Sequence, residues 1–97
     1  MKDVLQRAID TYGEERQIDK ALEEMSELTK ALLKMRYAKS TGVERDILMD
    51  AVSEETADVE IMLEQLHMIY QNDKKVEEYK QKKIERLERR LNGYNGV

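Results

Sequence analysis

The chain has 97 residues, a formal net charge of −4, 39% charged residues and no cysteine. Its length fits one domain over residues 1–97, and the lack of cysteine excludes disulfide bonds and thiolate chemistry. The negative charge argues against nucleic acid or an anionic membrane as the main partner. No signal-peptide pattern follows Met1, and no apolar run approaches the roughly 20 residues of a membrane span. We therefore expect a cytoplasmic protein.

Helix-forming residues dominate the sequence, which contains no proline. Hydrophobic spacing predicts four helices and no strand. The predicted helices cover about residues 3–12, 14–39, 43–70 and 74–91. Gly13 is expected to end the first helix, because glycine adopts the left-handed conformation without strain. Ser40-Thr41-Gly42 and Asn72-Asp73 are the predicted turns before the third and fourth helices, and a frayed tail is expected from Tyr94.

The high charge content leaves little apolar material for the core of a monomer. A domain of this length already buries only about two-thirds of the surface that its unfolded chain exposes. We therefore expect an all-α fold, an antiparallel bundle of about four helices that is completed by oligomerisation.

Two acidic residues interrupt the apolar stripe of the third predicted helix. Glu55 follows Val52 by three residues and precedes Val59 by four, so its side chain emerges within the stripe. Asp58 lies one turn further on, at the edge of the stripe. Burial of an unpaired carboxylate costs on the order of several kcal/mol. The sequence therefore predicts a cation or basic side chains opposite this face.

A second acidic pair, Glu24 and Glu27, flanks the apolar stripe of the second predicted helix. Each pair has i, i+3 spacing, which places both carboxylates on one side of a helix turn. Antiparallel packing of the two helices would bring the four carboxylates together. Such oxygen ligands suit Mg²⁺ or Mn²⁺, which would support phosphoryl or nucleotidyl hydrolysis by water. The alternatives are solvated acids or a buried ion-pair network.

Basic residues form a related pattern on the fourth predicted helix. Lys83 precedes Leu87 by four residues and Arg86 precedes it by one, the offsets at which the two acids of the third helix precede Val59. Lys83 thus interrupts an apolar stripe as well. These cations either pair with the acids or bind phosphate, and the alternative is a pair of solvated side chains with buried stems.

Two further polar residues have weaker interpretations. His67 is the only histidine, and a lone histidine on a helix is more typical of packing or of the surface than of a metal site. Gln17 opens the second helix and is a candidate contact for a base or ribose, the alternative being a solvated glutamine. The sequence has no P-loop, GxSxG or Cys/His motif.

The ordered double motif resembles the ExxE, linker, ExxD signature of the MazG-like all-α nucleoside triphosphate pyrophosphohydrolases. It lies in Glu23-Glu24-Met25-Ser26-Glu27-Leu28 and Glu54-Glu55-Thr56-Ala57-Asp58-Val59, with 27 residues between Glu27 and Glu55. Residues 57–66 resemble short phage and Gram-positive members. In those members, Tyr12-Gly13 and Gln17 precede the first motif and a KxxR such as Lys83-Ile84-Glu85-Arg86 follows the second.

This resemblance implies a Mg²⁺-dependent enzyme, with Mn²⁺ as a substitute, assembled as a homodimer or homotetramer. Its substrate would be a nucleoside or deoxynucleoside triphosphate, cleaved to monophosphate and pyrophosphate in control of nucleotide pools. Its metal-binding and catalytic residues would be Glu24, Glu27, Glu55 and Asp58. One of these acids, with Glu24 and Glu27 as candidates, would serve as general base instead of ligand. Less directly, the resemblance suggests phosphate contacts for Lys83 and Arg86.

Base selectivity is left open by the resemblance. Family members that select a pyrimidine by aromatic stacking use tryptophan or phenylalanine, and this chain has neither. A hypothesis of a different class is a non-enzymatic helical oligomer or adaptor module. In such a module Glu55 and Asp58 would pair with Lys83, Arg86 or a basic residue of another subunit.

Overall fold

Four helices account for nearly all of the described chain. The computed structural model describes residues 2–38 and 43–94. The helices are α1 (Lys2–Tyr12), α2 (Glu14–Arg36), α3 (Val43–Tyr70) and α4 (Asp73–Tyr94). The prediction of an all-α chain with four helices is confirmed, and these two ranges contain no strand. The predicted turn at Ser40-Thr41-Gly42 lies outside them. Two predicted ends differ from the structure, because α2 ends at Arg36 rather than near residue 39 and α4 continues to Tyr94 instead of ending near Leu91. The rest of the predicted tail, residues 95–97, lies outside the described ranges.

None of the helices in the described ranges combines the length and the apolar character that crossing a membrane requires.

Gly13 forms the junction between α1 and α2, as predicted. Its φ angle is +94°, a region that L side chains rarely adopt. Its backbone N–H donates to the Ile9 carbonyl at 2.8 Å, and its carbonyl accepts from the Gln17 N–H at 3.2 Å. Gly13 therefore supplies one hydrogen-bond partner to the last turn of α1 and one to the first turn of α2.

The packed part of the molecule consists of α1, α2 and α3. Helices α2 and α3 run antiparallel: the start of α2 contacts the end of α3, and the end of α2 contacts the start of α3. Helix α1 packs against both. The buried apolar side chains are Ile9, Ala21, Ala31 and Met62. Two of the four are alanines, which allow α2 to approach its neighbours closely.

A buried amide pair fixes the relative position of these three helices. The Gln17 side chain donates from Nε2 to Oε1 of Gln65 at 2.7 Å. Gln65 in turn donates from Nε2 to the Leu5 carbonyl at 3.2 Å. Both glutamines are buried, with Gln65 only 2% exposed. A chain of two hydrogen bonds thus links α2 to α3 and α3 to α1.

Helix α4 does not join this packed group. It begins after Gln71 and Asn72, and its only partly buried side chain among residues 73–93 is Val76. The apolar stripe predicted for it is present but lies in solvent, with exposed fractions between 47% and 60%, at Tyr79, Ile84, Leu87 and Leu91. One chain alone therefore leaves a 22-residue amphipathic helix without a packing partner.

We expect Gln65→Ala to destabilise the packed helices by about 1–3 kcal/mol, because it leaves the buried Gln17 amide without its partner and removes the additional hydrogen bond to the Leu5 carbonyl. Chemical denaturation followed by circular dichroism measures this loss. The matched control is Gln81→Ala, which removes an exposed glutamine from α4. Equal stability of the two variants would show that the amide pair does not hold the helices together.

Candidate metal centre

Helices α2 and α3 bring three of the four predicted acids together. Glu24, Glu55 and Asp58 each offer a carboxylate oxygen, and these oxygens lie within 4.8 Å of one another. All three side chains belong to partly buried residues. The antiparallel packing of α2 on α3 produces this acidic cluster, because it sets Glu24 beside the Glu55–Asp58 turn.

Glu27 lies at the margin of the acidic cluster. Its side chain is 44% exposed, against 15% for Glu24, and its Oε1 is 3.4 Å from Nζ of Lys30. Its negative charge still contributes to the raised pKa of Glu55. Glu27 is therefore close enough to act on the cluster electrostatically, and its role as a ligand stays a prediction.

Glu55 has a buried carboxylate oxygen whose charge no neighbouring group among the described residues balances. Its Oε2 is buried and has no hydrogen-bond partner. Desolvation raises the pKa of the Glu55 carboxyl, and the negative charges of Asp58, Glu24 and Glu27 raise it further. A buried oxygen without a partner, surrounded by like charges, is an unfavourable arrangement that a bound cation would relieve.

Glu24 experiences a similar environment with partial compensation. Burial raises the pKa of its carboxyl, and so does the charge of Asp58. Lys20 opposes this shift, since its Nζ lies 3.7 Å from Glu24 Oε1. One lysine thus offsets only part of the repulsion among three converging carboxylates.

The donor set fits a hard divalent cation. Carboxylate oxygens are the ligands that Mg²⁺ and Mn²⁺ prefer, and zinc sites normally include histidine or cysteine. Two oxygens on one Mg²⁺, each at about 2.1 Å, can be at most about 4.2 Å apart. The present spacing of up to 4.8 Å therefore needs only a small rotation of the side chains.

The predicted phosphate-binding residues lie apart from the acidic cluster within one chain. Lys83 and Arg86 are exposed residues of α4, the helix that does not pack against α2 or α3. In the described part of the chain, neither residue lies within ion-pair distance of a carboxylate. The fold of a single chain therefore does not bring these cations to the acids.

A groove that sequence reasoning missed adjoins the acidic cluster. It has a volume of about 430 Å³, and its lining residues are Tyr12, Arg16, Gln17, Asp19, Lys20 and Glu23. We call it the Tyr12 groove. Lys20 belongs both to this groove and to the ion pair with Glu24. Because Tyr12 ends α1 and Lys20 lies in α2, no local spacing in the sequence indicates this groove.

The remaining predicted residues have well-defined positions. Gln17 lines the Tyr12 groove, but it is buried and its amide donates to Gln65. Contact between Gln17 and a base or ribose stays a prediction. His67 is partly buried at the end of α3, where Nδ1 lies 3.7 Å from Asp73 Oδ1. It is nine residues beyond Asp58, or about 13 Å along the helix, so it does not belong to the cluster.

Comparisons with known proteins give no relative. No protein-family model matches the chain, and neither a curated protein nor a solved structure is detectably similar to it.

We expect the metal-free protein to become more stable as the pH falls from neutral towards the ordinary glutamate pKa of 4.5. The folded-state pKa values of Glu24 and Glu55 are raised, so the folded protein binds protons more readily than the unfolded chain. Their stabilising contribution is complete below the unfolded-state pKa and is lost as the pH rises through the folded-state pKa. Thermal melting across this range in chelator measures it.

The variant Glu55→Gln provides the internal comparison for this pH dependence. It removes one charge from the cluster, so the dependence should be weaker and the metal-free stability at neutral pH should hold or rise. A large loss of stability would instead show that Glu55 is held by an ion pair.

Proposed function

We propose that this protein is a Mg²⁺-dependent nucleoside triphosphate pyrophosphohydrolase that converts a nucleoside or deoxynucleoside triphosphate to the monophosphate and pyrophosphate. The observation that carries the proposal is the convergence of Glu24, Glu55 and Asp58, with a buried Glu55 oxygen that has no partner. The ordered ExxE and ExxD motifs and their resemblance to the MazG-like enzymes give the reaction class. Control of nucleotide pools is the corresponding cellular role.

The side chains of the acidic cluster suit this reaction. A divalent cation bound there would supply positive charge that polarises a phosphate and lowers the pKa of an attacking water. Glu24 from α2 and Glu55 and Asp58 from α3 would hold that cation between the two helices. Glu24 is a candidate for a general base, since its raised pKa favours proton acceptance near neutral pH. Glu27 is the other candidate, because its side chain lies at the margin of the cluster and is more exposed.

The Tyr12 groove supports binding of the rest of the substrate. Its volume of about 430 Å³ is within the range of small-molecule sites, roughly 300–1,000 Å³. Lys20 lies where the groove meets the acidic cluster, so its ammonium group can neutralise a phosphate next to the metal. Arg16 and the exposed Tyr12 ring lie further along and would contact the sugar and base.

A non-enzymatic oligomer is the second candidate, and it requires basic partners for Glu55 and Asp58. Lys83 and Arg86 do not provide them within one chain, and Glu55 Oε2 has no partner. Thermal melting in millimolar Mg²⁺ or Mn²⁺ separates the two hypotheses. A higher midpoint indicates that a cation stabilises the folded protein by binding to it, and an unchanged midpoint favours the ion-paired module.

We expect a screen of all ribo- and deoxynucleoside triphosphates with Mg²⁺ to find a substrate that releases pyrophosphate. In ¹⁸O-labelled water the label should enter the nucleoside monophosphate, because the proposed attack is at the α-phosphorus and no serine or cysteine nucleophile is involved. Label in orthophosphate with a nucleoside diphosphate product would show attack at the γ-phosphorus. Label in pyrophosphate would show attack at the β-phosphorus, and either result contradicts the proposed reaction.

For the same reaction, Glu55→Gln should lower turnover by a factor on the order of 100 or more, since it removes a ligand charge. Its matched control is Glu54→Gln, which changes an exposed glutamate of the same helix. Full activity of Glu55→Gln would remove Glu55 from the site.

We expect Lys20→Ala to raise the KM for the triphosphate by roughly ten- to a hundred-fold, because the loss of one charged hydrogen bond costs roughly 1.5–3 kcal/mol. Steady-state kinetics on the best substrate measures the change. Lys34→Ala, at an exposed lysine of the same helix, should leave KM unchanged. An effect of equal size in both variants would indicate a general charge effect and not a contact in the Tyr12 groove.

A further inference from the structure

Helix α4 and the rest of the molecule have opposite charges. Residues 73–94 contain eight lysines and arginines and five acidic residues, a net charge of +3. Residues 1–72 contain nine basic and sixteen acidic residues, a net charge of −7. The two parts attract one another electrostatically, yet α4 does not pack against α2 or α3 in its own chain.

The packed helices carry an apolar groove between α2 and α3. It has a volume of about 380 Å³ and lies between the second half of α2 and the start of α3. We call it the α2–α3 groove, and its lining residues are Leu32, Met35, Arg36, Met49, Val52 and Ser53. Leu32 and Met49 are 49% and 51% exposed. The groove leads to the acidic cluster, because Glu55 follows Val52 by one helical turn.

On α4, a charged residue lies one helical turn from an apolar residue, and the same arrangement is present on α3 beside the groove. Lys83 and Leu87 are one turn apart on the exposed stripe of α4, as Glu55 and Val52 are on α3. A helix that seats Leu87 beside Val52 in antiparallel orientation places Lys83 beside Glu55. Each of these charges interrupts an apolar stripe, so each needs an opposite charge when its stripe is covered.

We propose that α4 of one copy packs in the α2–α3 groove of a second copy, so that Lys83 and Arg86 of the partner subunit face the acidic cluster. The candidate site is then complete only in the oligomer. The packing itself is independent of the reaction proposed above. The further role of the two cations, contact with the triphosphate, rests on that proposed function.

Chemical crosslinking tests the packing without any activity assay. The chain has no cysteine, so Ser53→Cys in the groove and Glu88→Cys beside the stripe of α4 are unique attachment points for a short bismaleimide. Mixed Ser53→Cys and Glu88→Cys chains, one of them tagged, should give a crosslinked heterodimer. The matched control is Ser26→Cys, an exposed serine on the far face of α2, which should not crosslink to Glu88→Cys.

Three results would overturn the packing. Crosslinks only between two Glu88→Cys chains would show that α4 pairs with another α4. A crosslink within one chain of the Ser53→Cys, Glu88→Cys double variant would show that α4 folds back on its own body. No crosslink, together with a monomer by light scattering at high concentration, would show that a second copy does not cover α4.

The assembly should also depend on the α4 stripe. Leu87→Ser should shift the protein to monomer, and Val4→Ser, at an apolar side chain of α1 that is 61% exposed, should not. Circular dichroism on each variant shows whether α1–α3 remain folded. An unchanged oligomer in Leu87→Ser would contradict the proposed interface.

Mixing of two impaired variants tests the composite site. In a dimer with random pairing, Glu55→Gln chains mixed with Lys83→Ala chains regain roughly a quarter of wild-type activity, because half of the dimers contain one intact site. Mixed Glu55→Gln and Glu24→Gln chains regain none, since both changes lie on the same side of the interface. A crosslinked heterodimer without recovery of activity would retain the packing and reject the role on the triphosphate.

Discussion

The close packing of α2 against α3 holds three carboxylates near one another despite their mutual repulsion. Glu24, Glu55 and Asp58 could avoid one another if α2 and α3 were further apart. The small residues Ala21 and Ala31 and the Gln17–Gln65 pair keep the helices close. The protein thus retains an arrangement that raises the pKa of two glutamates. Carboxyl groups with perturbed pKa values occur often at binding and catalytic sites.

The other elements can be described by their positions relative to the acidic cluster. The α1–α2 junction at Gly13 brings Tyr12 to the start of α2, where it lines a groove with Arg16 and Lys20. Lys20 extends from that groove to Glu24. Helix α4 remains outside, with an exposed apolar stripe and a net charge of +3, whereas residues 1–72 have a net charge of −7. A cation at the cluster and the basic α4 of a second copy would each reduce the excess negative charge of the packed helices.

The helices and the centre of the candidate site could be predicted from the sequence because both depend on local spacing. Apolar periodicity and Gly13 locate the helices, and Glu55 is conspicuous because it interrupts a stripe. The different position of Glu27 could not be predicted. An i, i+3 pair shares a side of the helix but differs by about 60° in direction, so the neighbouring helix decides which member is buried. Here the packing of α2 against α3 partly buries Glu24 and leaves Glu27 more exposed.

Long-range placement accounts for what the sequence pattern could not supply. The stripe of α4 indicates that this helix packs against something, but periodicity does not identify the partner. The Tyr12 groove was missed for a similar reason, since Tyr12 and Lys20 belong to different helices and meet only through the turn at Gly13. Lys20 read alone is an ordinary surface lysine.

The proposed function requires the acidic cluster to bind a divalent cation. Electron paramagnetic resonance of free Mn²⁺ during titration of the protein tests it directly, because bound Mn²⁺ disappears from the free-ion signal. The structure predicts saturable binding to the wild-type chain, retained in Glu54→Gln and lost in Glu55→Gln. Weak, non-saturating binding that is equal in all three proteins would show that the three carboxylates do not form a metal site.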